Sequence, residues 1–316
     1  MKLKKPKFWD FKKPNYLSNL LLPLSKLVEI QSGIKRIKKK RIEGIKTICV
    51  GNLYLGGTGK TSIAIELKKI FDEQDIKSCF IKKEYSKQID EQKLLETFGT
   101  TFINRSRFEA LKEAHSKNFK VAIFDDGLQD STISYDLSFV CFNKKNFIGN
   151  GRTIPAGPLR EPLVNLSKYK NVFFNGNDEN NKNLEEILSM NNLNLNFYGS
   201  KYELLNLDQL NLDHQYVVFS GIGNHYTFID MLKKNNFKII YDLEFPDHYN
   251  YNYKDIDKIN QIAQKNNAQI LTTQKDYLRL DTKLKSGINF TKINLKIDQI
   301  EKLKKKLIEL NLHESN

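Results

Sequence analysis

Cysteine is scarce in this chain of 316 residues: Cys49, Cys79 and Cys141 lie far apart, each inside an apolar, strand-like run. They form no disulfide framework and no ligand spacing, so they read as small core residues of a protein kept in a reducing compartment. The five histidines join no Cys or Asp cluster with zinc spacing. No serine sits in a G-x-S-x-G turn, which excludes the nucleophile elbow of an α/β hydrolase. A stretch of about 18 uninterrupted apolar residues is also missing, so no spanning helix is expected. Pro23 and Lys26 break the N-terminal apolar run and no small-residue cleavage site follows, so a signal peptide is not expected either. There is no internal repeat.

What remains is an ordinary globular composition, 40% apolar and 28% charged, with an uneven charge. Residues 1–41 carry thirteen Lys or Arg against Asp10 and Glu29, a local +11 that leaves +3 of the net +14 for the rest. The basicity therefore belongs to an N-terminal arm. In that arm Leu17, Leu20, Leu21, Leu24, Leu27 and Val28 recur at helical spacing after Trp9, Phe11 and Tyr16, and Pro23 is expected to kink the run. KRIKKKR follows at Lys35–Arg41. An apolar face with aromatic and lysine flanks suits the plane of an anionic membrane surface. A helix packed on the protein and followed by a solvated basic linker is the plainer alternative. A nucleic-acid arm is a third, but the interleaved aromatics of single-strand binders are absent.

The chemistry starts at Ile48–Thr61, ICVGNLYLGGTGKT. A β-branched run meets a glycine-rich loop ending in Gly-Lys-Thr, and a helical segment follows, the order of a triphosphate site. Gly56, Gly57, Thr58, Gly59, Lys60, Thr61 and Ser62 are the expected nucleotide-binding residues. Backbone N–H groups and the helix N-terminus would cradle phosphates, Lys60 would reach the β- and γ-phosphates, and the Thr61 hydroxyl would ligate Mg²⁺. Tyr54 stands where the strict G-x-x-x-x-G-K-[ST] pattern wants glycine, so the loop is a longer variant. Asp125 and Asp126 end the strand-like run VAIF and are placed to organise the metal and its waters.

The loop GNGRTIPAGPLREP concentrates Arg152 and Arg160. Such arginines suit clamping an anionic substrate or stabilising a transferring phosphoryl group, and incidental surface arginines on a rigid loop are the alternative. IDEQ supplies Asp90 and Glu91, and FPDHYNY supplies Asp247 and His248. An alcohol kinase needs a group to accept the hydroxyl proton, and an Asp supported by a His would serve. His248 alone reads as a structural histidine, and nothing in the sequence brings positions 90 and 248 together.

From Lys46 the chain alternates strands (47–51, 78–81, 121–126, 137–142, 172–175) with helices (near 60–74, 90–97, 105–117, 182–190), an α/β layered pattern. Residues 143–162 read as a long functional loop. A second alternation runs through strands at 216–224, 237–243 and 268–273 and helices near 226–235 and 253–266. The expected organisation is an arm at 1–45, a P-loop parallel-sheet domain at 46–195, linker strands at 196–205 and 288–297, a smaller α/β domain at 206–287 and a terminal amphipathic helix at 298–316.

In that order, VGNLYLGGTGKT, DDGLQ, GNGRTIPAGPLREP, FSGIGN, FPDHYNY and TTQKDYLRL resemble the tetraacyldisaccharide 4′-kinases, the lipid A 4′-kinases, over roughly residues 15–295. The resemblance implies ATP- and Mg²⁺-dependent phosphorylation of the 4′-hydroxyl of a tetraacyldisaccharide 1-phosphate. It also implies a peripheral enzyme at the cytoplasmic face of the inner membrane of a Gram-negative bacterium. The implied fold is a P-loop domain and a smaller α/β domain joined by a two-stranded linker, with an N-terminal helix on the membrane. Lys60 and Thr61 match the phosphate and metal pair, with Asp125 and Asp126 the acidic pair. Asp90 matches the base, His248 its partner, and Arg107, Arg160 and Glu161 match positions near the substrate. KKEY (Lys82–Tyr85) stands where the family has Ser-Arg-Gly-Tyr. No nucleic acid and no obligate protein partner are expected. The alternatives are a P-loop kinase or NTPase for another acceptor and a nucleotide-switched membrane-binding protein.

Overall fold

The computed structural model describes residues 5–34, 39–85, 89–176, 185–188 and 194–312. The basic run at 35–41 and the expected helix at 182–190 therefore lie largely outside the described residues. Contacts divide the chain into two units: 1–84 with 98–201 and 297–316, and 85–97 with 202–296. The expected boundaries differ in two respects. The N-terminal arm and terminal helix group with the P-loop domain, and the short segment 85–97 groups with the second unit.

The first unit contains α1 (Tyr16–Leu20), α2 (Leu22–Ile34), β1 (Lys46–Gly51), α3 (Lys60–Asp72) and β2 (Ser78–Lys83). After the excursion into the second unit come β3 (Thr101–Asn104), α5 (Arg107–Ser116), β4 (Val121–Asp125), β5 (Leu137–Asn143) and β6 (Asn171–Asn175). The excursion itself is α4 (Ile89–Phe98). β7 (Asn196–Leu204) and β12 (Ile293–Ile297) carry the chain between units.

Strands of the first unit lie in the order β7-β6-β5-β1-β4-β2-β3, with parallel pairing between neighbours. β1 is buried along its whole length, as expected of a central parallel strand covered on both faces. It lies between β4 and β5, so chain order reverses there, the position at which open α/β sheets bind ligands beyond their carboxyl ends. α3 buries Ile63, Ala64, Leu67, Ile70 and Phe71, a helical-period stripe. Residues 144–162 form turns and isolated bridges without a helix or strand. Pro23 produces no kink within a helix: the chain turns at Leu21, and Pro23 sits in the first turn of α2, where its missing N–H breaks no helical bond.

In the second unit β8 (Gln215–Ser220), α6 (His225–Lys234), β9 (Lys238–Glu244), α7 (Tyr253–Lys265), β10 (Gln269–Thr273), α8 (Gln274–Arg279) and β11 (Ile288–Thr291) follow in turn. Its sheet runs β11-β10-β8-β9, with every neighbour parallel. The stretch 288–297, expected as one connector, is thus two strands, and β11 is an edge of this sheet. α7 starts with a full capping box between Asn252 and Asp255. Its buried Ile256, Ile259 and Ala263 face the core with Val217, Phe219 and Tyr251.

Candidate active site

In the first unit, β1 delivers the chain into the glycine loop and α3 begins at Lys60. Gly59 takes φ +82°, a left-handed conformation that costs glycine little and would strain any side chain. The Asn52 amide donates to the carbonyls of Tyr54 and Gly56 at 2.6 and 3.2 Å, setting the bend. Asn175, on β6, donates to the Thr58 carbonyl from the other side. Tyr54 has a physical reason to replace glycine. Its ring is buried, and its hydroxyl accepts from Lys5 at 2.7 Å and donates to Asp10, tying the loop to the N-terminal arm.

The acids at the end of β4 meet the start of α3. Thr61 Oγ1 donates to Asp125 Oδ2 at 3.2 Å, and Lys60 Nζ lies 3.9 Å from Asp126 Oδ1. Arg160 bonds Asp126 Oδ1 at 2.9 Å and Gln129 Oε1 at 3.0 Å. Asp126 sits at φ +60°, a strained backbone for a residue with a side chain. Burial pushes its carboxyl up, but the charges of Lys60, Arg160 and Lys82 outweigh this and hold it below the usual range. Asp125 is fully buried, and its Oδ1 has no hydrogen-bond partner among the described residues. Ser62 follows Thr61 and is partly exposed.

The expected substrate-side residues separate by role. Arg107 is buried, donates to the Asp126 carbonyl and pairs with Asp130 at 3.3 Å, so it braces the acid turn. Glu161 is buried and accepts from Gln129, Asn165 and Tyr169 at 2.9–3.2 Å, which makes it the hub of a local network. Arg152 turns to the Ser18 hydroxyl of α1 at 3.2 Å. Arg160 reaches the Asp126 carboxylate itself, whereas the bond of Arg107 is to the Asp126 backbone carbonyl.

The donor set fits Mg²⁺. Hydroxyl and carboxylate oxygens are the hard ligands it prefers, and Asp125 Oδ1, a buried acceptor with no partner among the described residues, could accept a cation or its water. Among the described residues no three His, Cys, Asp or Glu gather as an all-protein metal cage.

The second unit holds the other constellation. Asp90 opens α4 and His248 follows β9, with His248 Nδ1 3.0 Å from Asp90 Oδ1. Arg279, from α8, donates to Asp90 Oδ2 at 2.7 Å. Both carboxylate oxygens are therefore engaged, and the Asp90 side chain is 2% exposed against 20% for His248. Burial pushes Asp90 up, but the His248 hydrogen bond and the charges of Arg279 and His248 pull it down to about 2. Burial lowers His248, but the bond to Asp90 and the nearby acids raise it above its ordinary value. Arg279 is itself fixed by Asp276 at 3.0 Å and by the carbonyls of Gly221 and Tyr249. Asp276 in turn accepts from Tyr251 and the Gly221 amide. Arg279 and Lys82, the partner of Asp125 at 2.6 Å, are the residues sequence reading left without a role. TTQKDYLRL and KKEY contain them, and only pairing across the fold reveals what they touch.

The N-terminal helices dock by their polar side. Ser18 and Ser25 donate to the carbonyls of Ala156 and Thr153 at 2.6 and 2.8 Å, and the Trp9 indole donates to Pro155 at 3.0 Å. Tyr16, Leu17, Leu20, Leu24, Leu27 and Ile30 are left 50–79% exposed. No helix among the described residues is long and apolar enough to cross a membrane.

A parallel sheet with a glycine loop, a Lys-Thr pair at a helix start and an acid pair at the adjoining strand end define a P-loop protein of the nucleotide-dependent kinase type. The sequence model of LpxK, tetraacyldisaccharide-1-P 4′-kinase, matches residues 17–311. The chain belongs to the tetraacyldisaccharide-1-P 4′-kinase family. It is similar to the tetraacyldisaccharide 4′-kinase of Pelagibacter ubique, 55% identical over 98% of this chain and 99% of that one. The Rickettsia bellii tetraacyldisaccharide 4′-kinase is 31% identical over 89% of this chain and 90% of its own. The crystal structure of LpxK from Aquifex aeolicus in complex with ATP shares the fold, with TM-score 0.68 at 24% identity over 93% of this chain and 99% of that one.

Proposed function

We propose that this chain transfers the γ-phosphoryl group of ATP to the 4′-hydroxyl of a tetraacyldisaccharide 1-phosphate, the activity for which its relatives are named. The observation that carries the reading is the convergence of Lys60 and Thr61 on Asp126 and Asp125. The loop amides of Gly56–Gly59 and the Lys60 ammonium hold the phosphates, and Arg160 adds charge beside Asp126. Mg²⁺, held by Thr61, Asp125 and Asp126, would neutralise charge on the β- and γ-oxygens. Asp90 receives the proton of the attacking hydroxyl, with His248 and Arg279 fixing its two oxygens.

A second reading of the proton acceptor has its own support. With both Asp90 oxygens engaged and His248 the more exposed partner, His248 takes the proton and Asp90 orients it. In either case the pair is the acceptor of the hydroxyl proton.

The exposed Leu face of α1 and α2 supports peripheral attachment to the cytoplasmic side of the inner membrane of a Gram-negative bacterium, where an acylated substrate resides. Its docked side is polar, so the exposed leucines do not serve packing on the protein. The test is to incubate the purified chain with ATP, Mg²⁺ and the acylated disaccharide 1-phosphate in mixed micelles and locate the new phosphate by phosphorus–proton correlation NMR. Phosphate on the 4′ oxygen is expected. Phosphate elsewhere, or on soluble sugars without detergent, overturns the assignment.

A further inference from the structure

A buried positive charge lies against Asp125 and takes no part in the phosphate binding proposed above. Lys82 stands near the end of β2 and is the register partner of Asp125 on β4. Its Nζ lies 2.6 Å from Asp125 Oδ2, with side-chain exposures of 1% and 0%. Thr61 donates to the same Oδ2, and Oδ1 has no partner among the described residues. A buried ammonium is costly unless paired, so a strand of this sheet holds a lysine only where its charge is matched.

We propose that Lys82 is a built-in counter-cation of the metal site, neutralising Asp125 so that a divalent cation binds firmly only together with a nucleotide. The proposal rests on the reading of Asp125 as a metal-side residue. A cation drawn to Oδ1 shares the carboxylate with the ammonium on Oδ2, and like charges at such range in a buried site repel strongly. The phosphates of a bound nucleotide supply the negative charge that Asp125, already matched, does not. Metal therefore enters as the nucleotide complex and leaves with it, and Lys82 sets the metal requirement without touching the reacting atoms.

Mn²⁺ binding to the full chain, followed by electron paramagnetic resonance of free Mn²⁺ with and without a non-hydrolysable ATP analogue, tests this. The wild-type chain is expected to bind Mn²⁺ about a hundredfold tighter with the analogue than alone, and equal affinity would overturn the proposal. Lys82→Gln keeps a donor for Oδ2 and removes the charge, and Lys82→Met removes both. In each, affinity for Mn²⁺ alone should rise about tenfold or more, with less than about a threefold change in the presence of the analogue. Unchanged or weaker nucleotide-free binding in a variant with native circular dichroism would make Lys82 a structural residue only. Asp125→Asn separates this failure from that of the site itself: Mn²⁺ binding with the analogue that is indifferent to Asp125→Asn removes Asp125 from the metal site, and the proposal falls with it.

Discussion

Asp90 and His248, 158 positions apart in sequence, meet at 3.0 Å in the second unit. The contact depends on two independent local devices. Asp90 is placed by the first turn of α4, and His248 sits at φ +55°, held by its own N–H donating to the Gly221 carbonyl at 3.0 Å. Arg279 closes the arrangement from α8, so the carboxylate has one orientation available to it.

The two readings of the proton acceptor give different mutant kinetics. Asp90→Asn should lower kcat by about 10²–10⁴ with little change in ATP affinity. His248→Gln should match that loss if the imidazole takes the proton, and fall well short of it if Asp90 does. Steady-state kinetics with ATP varied decides. Full activity in Asp90→Asn would remove the pair from the chemistry.

The pair also predicts a pH signature. A folded His248 raised above its ordinary 6.5 adds stability that is fully present below pH 6.5 and is lost as pH rises through the raised value. Asp90, depressed to about 2, adds stability present above 3.8 and lost as pH falls toward 2. The stability gap between wild type and His248→Gln in urea should therefore narrow from pH 6 to pH 9. Imidazole NMR should show His248 titrating above 6.5, and lower in Asp90→Asn. A gap that widens with pH would contradict the pairing.

Arg279 compensates two buried acids, Asp90 and Asp276. Arg279→Met removes the cation the two acids share, and a loss of about 3–5 kcal/mol is expected for breaking such a buried pair. Denaturant unfolding measures it. A loss under about 1 kcal/mol would mean that the acids are served by other partners.

The docked polar face of α1 and α2 predicts that their apolar face can be changed without unfolding the protein. A Leu20→Glu, Leu24→Glu, Leu27→Glu variant should keep its thermal midpoint and ATP binding while losing most of its flotation with anionic vesicles. Retained flotation would locate membrane attachment elsewhere.

Much of this architecture is legible in the sequence because its signals are local. β1, α3 and the intervening glycines announce themselves by a β-branched run, a helical stripe and backbone positions with φ above zero. β3 leaves little trace in the sequence because TFIN is four residues long and lacks a clear alternation. β11 and β12 read as one connector in the sequence because INFT and INLKI are separated only by Lys292. The site divides in the same way. Lys60, Thr61, Asp125 and Asp126 lie on contiguous motifs, whereas Lys82 and Arg279 gain meaning only from strand register and from a helix that caps on Thr273. Arg107 and Glu161 sit beside the right motifs yet are buried in supporting networks, a distinction that spacing does not encode.

The most direct test of the account is transfer of label from γ-³²P-ATP to a tetraacyldisaccharide 1-phosphate in mixed micelles, with Lys60→Ala as the comparison. The account predicts label in the lipid, reduced about 10²–10³-fold in the variant. Label transfer that is indifferent to Lys60, or ATP binding with no labelled lipid, would contradict it.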